Sequence, residues 1–194
     1  MTQDGYESFD DPYTYKGSAT LKNKIGLRDP DLLEAFELEM TTLRAGEPLP
    51  TGRFDTRHYR RVHHHLFQDV FRWAGRYRTV RTAKDGNMFC FPEHIPVQME
   101  RVFNLLSPLL TDTNLESFID QGSDFLAELN AIHPFREGNG RTQLAFMALL
   151  GQHTGFTLDL TRVRRATFLP AMIESYSGHL NYLQSEIRKL IVVK

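Results

Sequence analysis

The sequence predicts a mostly α-helical domain with one central buried helix and a single β-hairpin. Three observations predict it. Apolar residues recur at steps of three and four along most of the chain, the step shortens to two between Tyr77 and Phe91, and the segment from Asn139 to about His153 is apolar almost all round at "LAFMALL", Leu144 to Leu150. At 194 residues, without a break in composition, one domain with a proper core is expected. The first residues, 1–12, are acidic and broken by "DDP", so they read as an ill-ordered lead-in to a domain over 13–194.

Each element has its own signal. Asp29 is an N-cap, Pro30 sits in the first turn, and Leu33, Phe36, Met40 and Leu43 recur at helical spacing to Arg44, before "AGEPLPTG" ends the helix. A second helix is predicted from Thr56 to Ala74 on Tyr59, Val62, Leu66, Val70 and Trp73, with Gly75 as its stop. "RYRTVRTAKDGNMFCF" then alternates, turns at "KDGN" and resumes as an extended run, which is a hairpin signal. A helix follows Pro96. Another runs from Leu115 to Ile132 with Phe118, Phe125, Leu129 and Ile132 on its core face, feeding directly into His133. The apolar segment from Asn139 is the central helix, and Arg164 to Val193 supplies one or two more, with a break near Ser177 and Gly178.

The composition excludes several classes. Apolar residues make up 41% and charged residues 24%, as in folded soluble proteins. With 23 basic against 24 acidic residues the net charge is -1, so no global field recruits nucleic acid or an anionic membrane, and direct nucleic-acid binding is not expected. No apolar run approaches the roughly 20 residues needed to span a bilayer, and the N-terminus lacks a signal-peptide core, so a cytoplasmic protein is expected. The single cysteine, Cys90, excludes an internal disulfide and reads as a small buried residue.

"HPFREGNGRTQL", His133 to Leu144, carries the chemistry. A buried helix preceded by Gly-Asn-Gly offers unpaired backbone N–H groups and the positive end of its dipole. Gly138 and Gly140 permit close approach of a phosphate, and Arg141 adds a fork of charged donors on the first turn. Glu137 would repel phosphate unless a cation lies between, which points to Mg²⁺ held by one carboxylate and the phosphates. His133 can face the same cavity as a general base for an attacking hydroxyl. The assembly reads as phosphoryl or nucleotidyl transfer. No Gly-Lys-Ser/Thr follows, so it is not a Walker A loop, and the preceding helix excludes a dinucleotide fingerprint.

"HPFREGNGR" resembles the signature of the Fic (filamentation induced by cAMP) family, His-x-Phe-x-Asp/Glu-Gly-Asn-Gly-Arg-x-x-Arg, from His133 through Arg141. "VHHHLFQDVFRWAGRYRTV" resembles the stretch before that family's β-hairpin flap, and "KDGNMFCF" falls where the flap should be. The resemblance covers the chain from about Tyr13 onward. It implies a Fic-type helical bundle and transfer of AMP from ATP to a Ser, Thr or Tyr hydroxyl of a target protein. In that reading His133 is the base, Glu137 holds Mg²⁺, Asn139 with the backbone of Gly138 and Gly140 holds the α- and β-phosphates, Arg141 takes the β/γ end, and Phe135 anchors the loop. Doc kinases carry Lys where this chain has Gly140, which makes AMP transfer the better match than phosphoryl transfer. The flap, Lys84, Asp85, Gly86, Asn87, Met88 and Phe89, would register the target by strand addition.

One position departs from the pattern: the second Arg falls on Leu144. In the family that arginine contacts the γ-phosphate and pairs with an inhibitory glutamate, and Leu144 can do neither. An altered nucleotide or phosphoryl transfer, and a non-catalytic nucleotide- or partner-binding domain, therefore stand as alternatives. No Ser or Thr is followed by Glu four residues later, so the family's own inhibitory helix is not expected here. The resemblance then implies a toxin restrained by a small separate antitoxin that supplies the helix in trans, or the catalytic part of a secreted effector.

The remaining features have plain readings. His63, His64 and His65 point about 100° apart on a helix and cannot converge on one ion, so a solvated or capping role is expected. "RVRRA", Arg162 to Ala166, reads as a solvated helix start, and Trp73 as core.

Overall fold

A computed structural model describes residues 11–84 and 87–192. Seven helices are present among them: α1 (Pro30–Ala45), α2 (Thr56–Phe67), α3 (Ile95–Asn104), α4 (Leu115–Ile132), α5 (Asn139–Thr154), α6 (Arg165–Ser175) and α7 (Asn181–Leu190). Strands β1 (Ala83–Lys84) and β2 (Asn87–Met88) pair antiparallel, Ala83 opposite Met88, and form the expected hairpin. A second antiparallel pair, β3 (Thr157–Leu158) with β4 (Ile191–Val192), closes the far end of α5 onto the end of α7.

The helix starts follow their caps. Asp29 Oδ1 accepts from the N–H groups of Asp31 and Leu32, and Asn114 Oδ1 accepts from Ser117 N at 3.1 Å. α4 and α5 pack against each other through the core. On α4, Phe118, Ile119, Phe125, Leu126, Leu129 and Ile132 are buried, and on α5, Phe146, Met147 and Leu150. Phe146 sits among the rings of Tyr59, Phe103 and Phe125, so α2, α3 and α4 all converge on the central helix. Burying such aromatics stabilises the fold by about 2–3 kcal/mol each.

Four expectations change. α2 ends at Phe67 rather than Ala74; Val70 and Phe71 are still buried, but in turns stapled by backbone bonds from their N–H groups to the Phe67 carbonyl. Trp73 and Cys90 are half-buried rather than core. On α1 the inward face is rotated: Leu33, Glu37 and Thr41 are buried while Leu43 is 60% exposed. Asp11, placed in the lead-in, is held firmly, because its Oδ2 accepts from Arg136 Nε at 2.7 Å with both side chains nearly inaccessible. Residues 1–10, Asp85 and Gly86 of the expected flap, and residues 193–194 lie outside the described residues.

Candidate active site

A cavity of about 740 Å³ opens between α1, the end of α4, the start of α5 and α6. His133, Glu137, Gly138, Asn139, Gly140 and Arg141 all line it, as do Phe89 from the flap and Leu144. The residues singled out in the motif therefore share one space.

His133 caps α4 in the left-handed conformation, φ 49 and ψ 62, which costs a non-glycine residue about 1 kcal/mol and turns the chain sharply into the motif loop. It is buried, and its ring lies parallel to Phe89, centroids 3.9 Å apart. Nδ1 lies 3.3 Å from the Asn130 carbonyl. A proton on Nδ1 satisfies that carbonyl and is the tautomer that leaves the basic lone pair on Nε2.

The loop after His133 is folded around its own asparagine. Asn139 Oδ1 accepts from Phe135 N at 2.9 Å, and Asn139 Nδ2 donates to the Phe135 carbonyl at 2.8 Å. Its side-chain amide is thus engaged with the loop, and what Asn139 presents to the cavity is its place in the first turn of α5. Phe135 is fully buried, 3.8 Å from the His63 ring and stacked on Tyr59. Gly138 is the N-cap with φ 82, and a Cβ there would stand 2.2 Å from the Phe67 ring, so both conformation and contact require glycine. Gly140 is different. It is exposed, and a Cβ on it would meet no protein atom within 4 Å, so the room it leaves faces the cavity.

Charge gathers at the start of α5. Glu137 Oε1 accepts from Gly138 N at 2.8 Å and lies 3.5 Å from Arg141. Arg141 also pairs with Glu37 and donates to the Thr41 hydroxyl at 3.3 Å, while its guanidinium lies 4.7 Å over Phe67. Burial pushes the Glu37 carboxyl up to about 7, outweighing the lowering influence of Arg141. In this state the carboxylates of Glu137 and Glu37 engage Gly138 N and Arg141, the donors an anion at the start of α5 would use. Among the described residues no group of three His, Cys, Asp or Glu could hold a metal ion.

Three positions carry roles that apolar periodicity does not reveal. His63 is fully buried rather than solvated: Nδ1 accepts from Gly75 N at 2.8 Å, which leaves Nε2 to donate to the Glu137 carbonyl at 3.0 Å. Desolvation lowers its pKa to about 3, so it is a neutral brace for the motif loop. Glu37 and Arg78 are likewise buried and polar. Apolar spacing gives no signal for any of them.

Of the flap residues, Lys84 and Asn87 are placed by their backbone in β1 and β2, Met88 is 45% exposed, and Phe89 is buried against His133. β1 and β2 pair only with each other among the described residues. The Tyr176 hydroxyl at the end of α6 donates to the Met88 carbonyl at 2.5 Å. Leu144 is half-buried, packed against the core and facing the cavity. The Arg162 to Ala166 stretch is the expected exposed helix start, with Arg164 as the N-cap of α6.

Comparison with known proteins agrees with this geometry. Residues 53–150 match the Fic/DOC family. The chain is 46% identical over 189 residues to "Probable protein adenylyltransferase y4lH" of Sinorhizobium fredii, covering 96% of this chain and 98% of that one. It is 30% identical to "Probable protein adenylyltransferase Fic" of Escherichia coli, covering 93% and 92%. Among solved structures, BepC, a translocated effector of Bartonella tribocorum crystallised with AMPPNP, superposes with a TM-score of 0.84 at 28% identity, over 94% of this chain and 97% of that one. With the motif, the helical bundle and the flap all in place, the chain belongs to the Fic/DOC family.

Proposed function

We propose that this chain is a protein adenylyltransferase, moving AMP from ATP to a Ser, Thr or Tyr hydroxyl of a target protein. The observation that carries this reading is the sharing of one cavity by His133 and the first turn of α5, with Gly140 leaving room where a phosphate would lie. The names of its relatives, and the AMPPNP in the related BepC structure, support the same reading.

The chemistry follows from the positions. His133 takes the proton of the target hydroxyl, whose oxygen bonds to the α-phosphorus of ATP; the bond from that phosphorus to the bridging oxygen breaks, and pyrophosphate leaves. The N–H groups of Gly138, Asn139 and Gly140 and the Arg141 fork hold the phosphates, Glu137 releasing Gly138 N in exchange. The donor set fits Mg²⁺: Glu137 is a partly exposed carboxylate beside a phosphate cradle, and an ion held by one carboxylate takes its other ligands from phosphate and water. Bound there, Mg²⁺ would neutralise the charge of the departing pyrophosphate. The flap, Lys84 to Phe89, takes the target as an added strand.

Regulation belongs to the same proposal. A small antitoxin protein supplies a helix in trans to the cavity rim lined by Leu38, Leu144, Leu169 and Ile173, a surface apolar enough to receive one. The reaction takes place in a cytoplasm, where ATP is available, either the producing cell's own or that of a recipient cell. Among the described residues no helix is long and apolar enough to cross a membrane.

The second reading, another nucleotide or a phosphoryl group as the transferred unit, is favoured by one observation: Leu144 presents an apolar side chain where the family pattern has a cation. Incubation with a cell lysate and ATP labelled at the α- or the γ-phosphate separates the readings. Protein labelled from the α position supports adenylylation, label from γ alone supports a kinase, and binding without label supports a non-catalytic domain.

A further inference from the structure

Arg78 is 2% exposed, and its guanidinium reaches main-chain oxygens from three separate segments. Nε donates to the His133 carbonyl at 2.8 Å, and one terminal nitrogen donates to the Ile132 carbonyl at 3.2 Å and the Cys90 carbonyl at 2.6 Å. The other terminal nitrogen donates to the Val80 carbonyl at 2.6 Å. Val80 lies on the stem that enters the flap and Cys90 on the stem that leaves it, so one side chain grips both stems and the residue expected to act as base. The backbone reinforces the link: Arg78 N donates to the Pro134 carbonyl at 2.9 Å, and Cys90 N donates to the Ala131 carbonyl at 3.2 Å.

Burying a guanidinium is costly, and here hydrogen bonds to carbonyls compensate it. Two of those carbonyls belong to the last residue of α4 and its cap, where the helix dipole also favours a cation. The consequence is geometric. His133 holds a left-handed backbone, its carbonyl direction is fixed by Arg78, and its ring meets Phe89, the neighbour of Cys90. One planar fork, with the two backbone bonds beside it, therefore sets the distance between the flap and the base.

We propose that Arg78 is a positioning residue that registers the flap to His133, so that a strand added to the flap presents its hydroxyl at the imidazole. This rests on the reading of His133 as base and of the flap as the target-docking edge. A lysine cannot replace it, because an ammonium has three donors in a compact tetrahedral head and cannot span carbonyls arranged around a planar fork.

The test uses Arg78→Lys and Arg78→Met in the full chain, with two measurements that do not depend on the same assumption. The first is the NMR signal of the His133 ring, assigned with His133→Ala and referenced to Phe89→Leu. In the wild type the ring protons should be displaced upfield by the Phe89 face; in both Arg78 variants they should move to the Phe89→Leu position. The second is AMP transfer: kcat should fall about 100-fold in Arg78→Met, the scale of an ångström-sized misplacement, and about tenfold in Arg78→Lys. The dissociation constant for ADP should stay within twofold in each. Peptide mapping should find AMP spread over neighbouring hydroxyls of a target that the wild type modifies at one. If the methionine variant fails to fold, Arg78→Lys, which keeps the buried charge, decides. A folded lysine variant with an unmoved His133 signal and a lower melting temperature alone overturns the proposal and leaves Arg78 a structural staple. If the wild type transfers no AMP, the adenylylation reading fails, and the ring signal still decides whether Arg78 sets flap against base.

Discussion

At the His133 end of the cavity the main chain is braced by groups that a ligand has no reason to displace. Arg78 holds carbonyls, Asn139 closes the loop on Phe135, and His63 bridges Gly75 N and the Glu137 carbonyl, all of them buried. At the Arg141 end the contacts are of the opposite kind: Arg141 leans on Glu37 and Glu137, and Glu137 occupies the Gly138 N–H, with side chains 12–39% exposed. In the proposed reading, phosphates take over the contacts of Arg141 and of Gly138 N, and a cation takes the Glu137 carboxylate. On that reading, the difference separates geometry that must be ready before substrate arrives from charge that is exchanged when it does.

The sharpest way to break this comparison is His133→Ala. It should lower AMP transfer by about 100- to 10,000-fold, read as label from the α-phosphate, with ADP binding nearly unchanged. Asn139→Ala attacks the bracing rather than the base. Loss of both amide bonds leaves the Phe135 N–H and carbonyl buried and unpaired, and urea unfolding should show about 3 kcal/mol of destabilisation. An effect below about 1 kcal/mol would mean that the loop holds itself.

Glu37 probes the exchangeable end through pH. Its folded carboxyl is raised by burial from the ordinary 4.5 to about 7, so the native state holds that proton more tightly than the unfolded chain does. Stability from this group therefore falls as pH rises between those values. Against Glu37→Gln, the wild type should lose about 2 kcal/mol of relative stability from about pH 5 to about pH 8, measured by urea unfolding. A difference that is flat with pH would show that Arg141 keeps Glu37 ionised throughout. The smallest expected effect is Leu144→Arg. A cation restored beside the cradle should tighten ATP binding about tenfold, or about 1.4 kcal/mol, by calorimetry. Unchanged affinity would make Leu144 a packing residue.

What is legible in the chain is what is local. α4 spans Leu115–Ile132 as expected because Asn114 caps it and His133 with Pro134 ends it, and the motif residues share a cavity because they lie close to one helix start. Apolar spacing overextends α2 because Val70 still buries its side chain in the turns after Phe67, so the pattern continues where the helix does not. β3 and β4 leave no periodic signal because they are two residues each and pair across the whole of α6 and α7. Glu37, His63 and Arg78 stay hidden because a reading of apolar periodicity treats a polar side chain as solvent-facing. Their partners lie far away in sequence: Arg141, Glu137 and His133.

The pairing of Arg136 with Asp11 has a practical side. Arg136 belongs to the motif loop, and its carboxylate partner comes from the acidic head, the stretch that an effort to shorten the protein would trim first. Cutting the chain at Tyr13 would take that carboxylate away from a guanidinium only 6% exposed beside Glu137, and the shortened protein would lose a tether of its motif loop while keeping every motif residue. Since Asp11 stands against the motif loop and lines the cavity, a bulky fusion joined directly to it is a means of obstructing the cavity, and one placed beyond β4 is the gentler attachment.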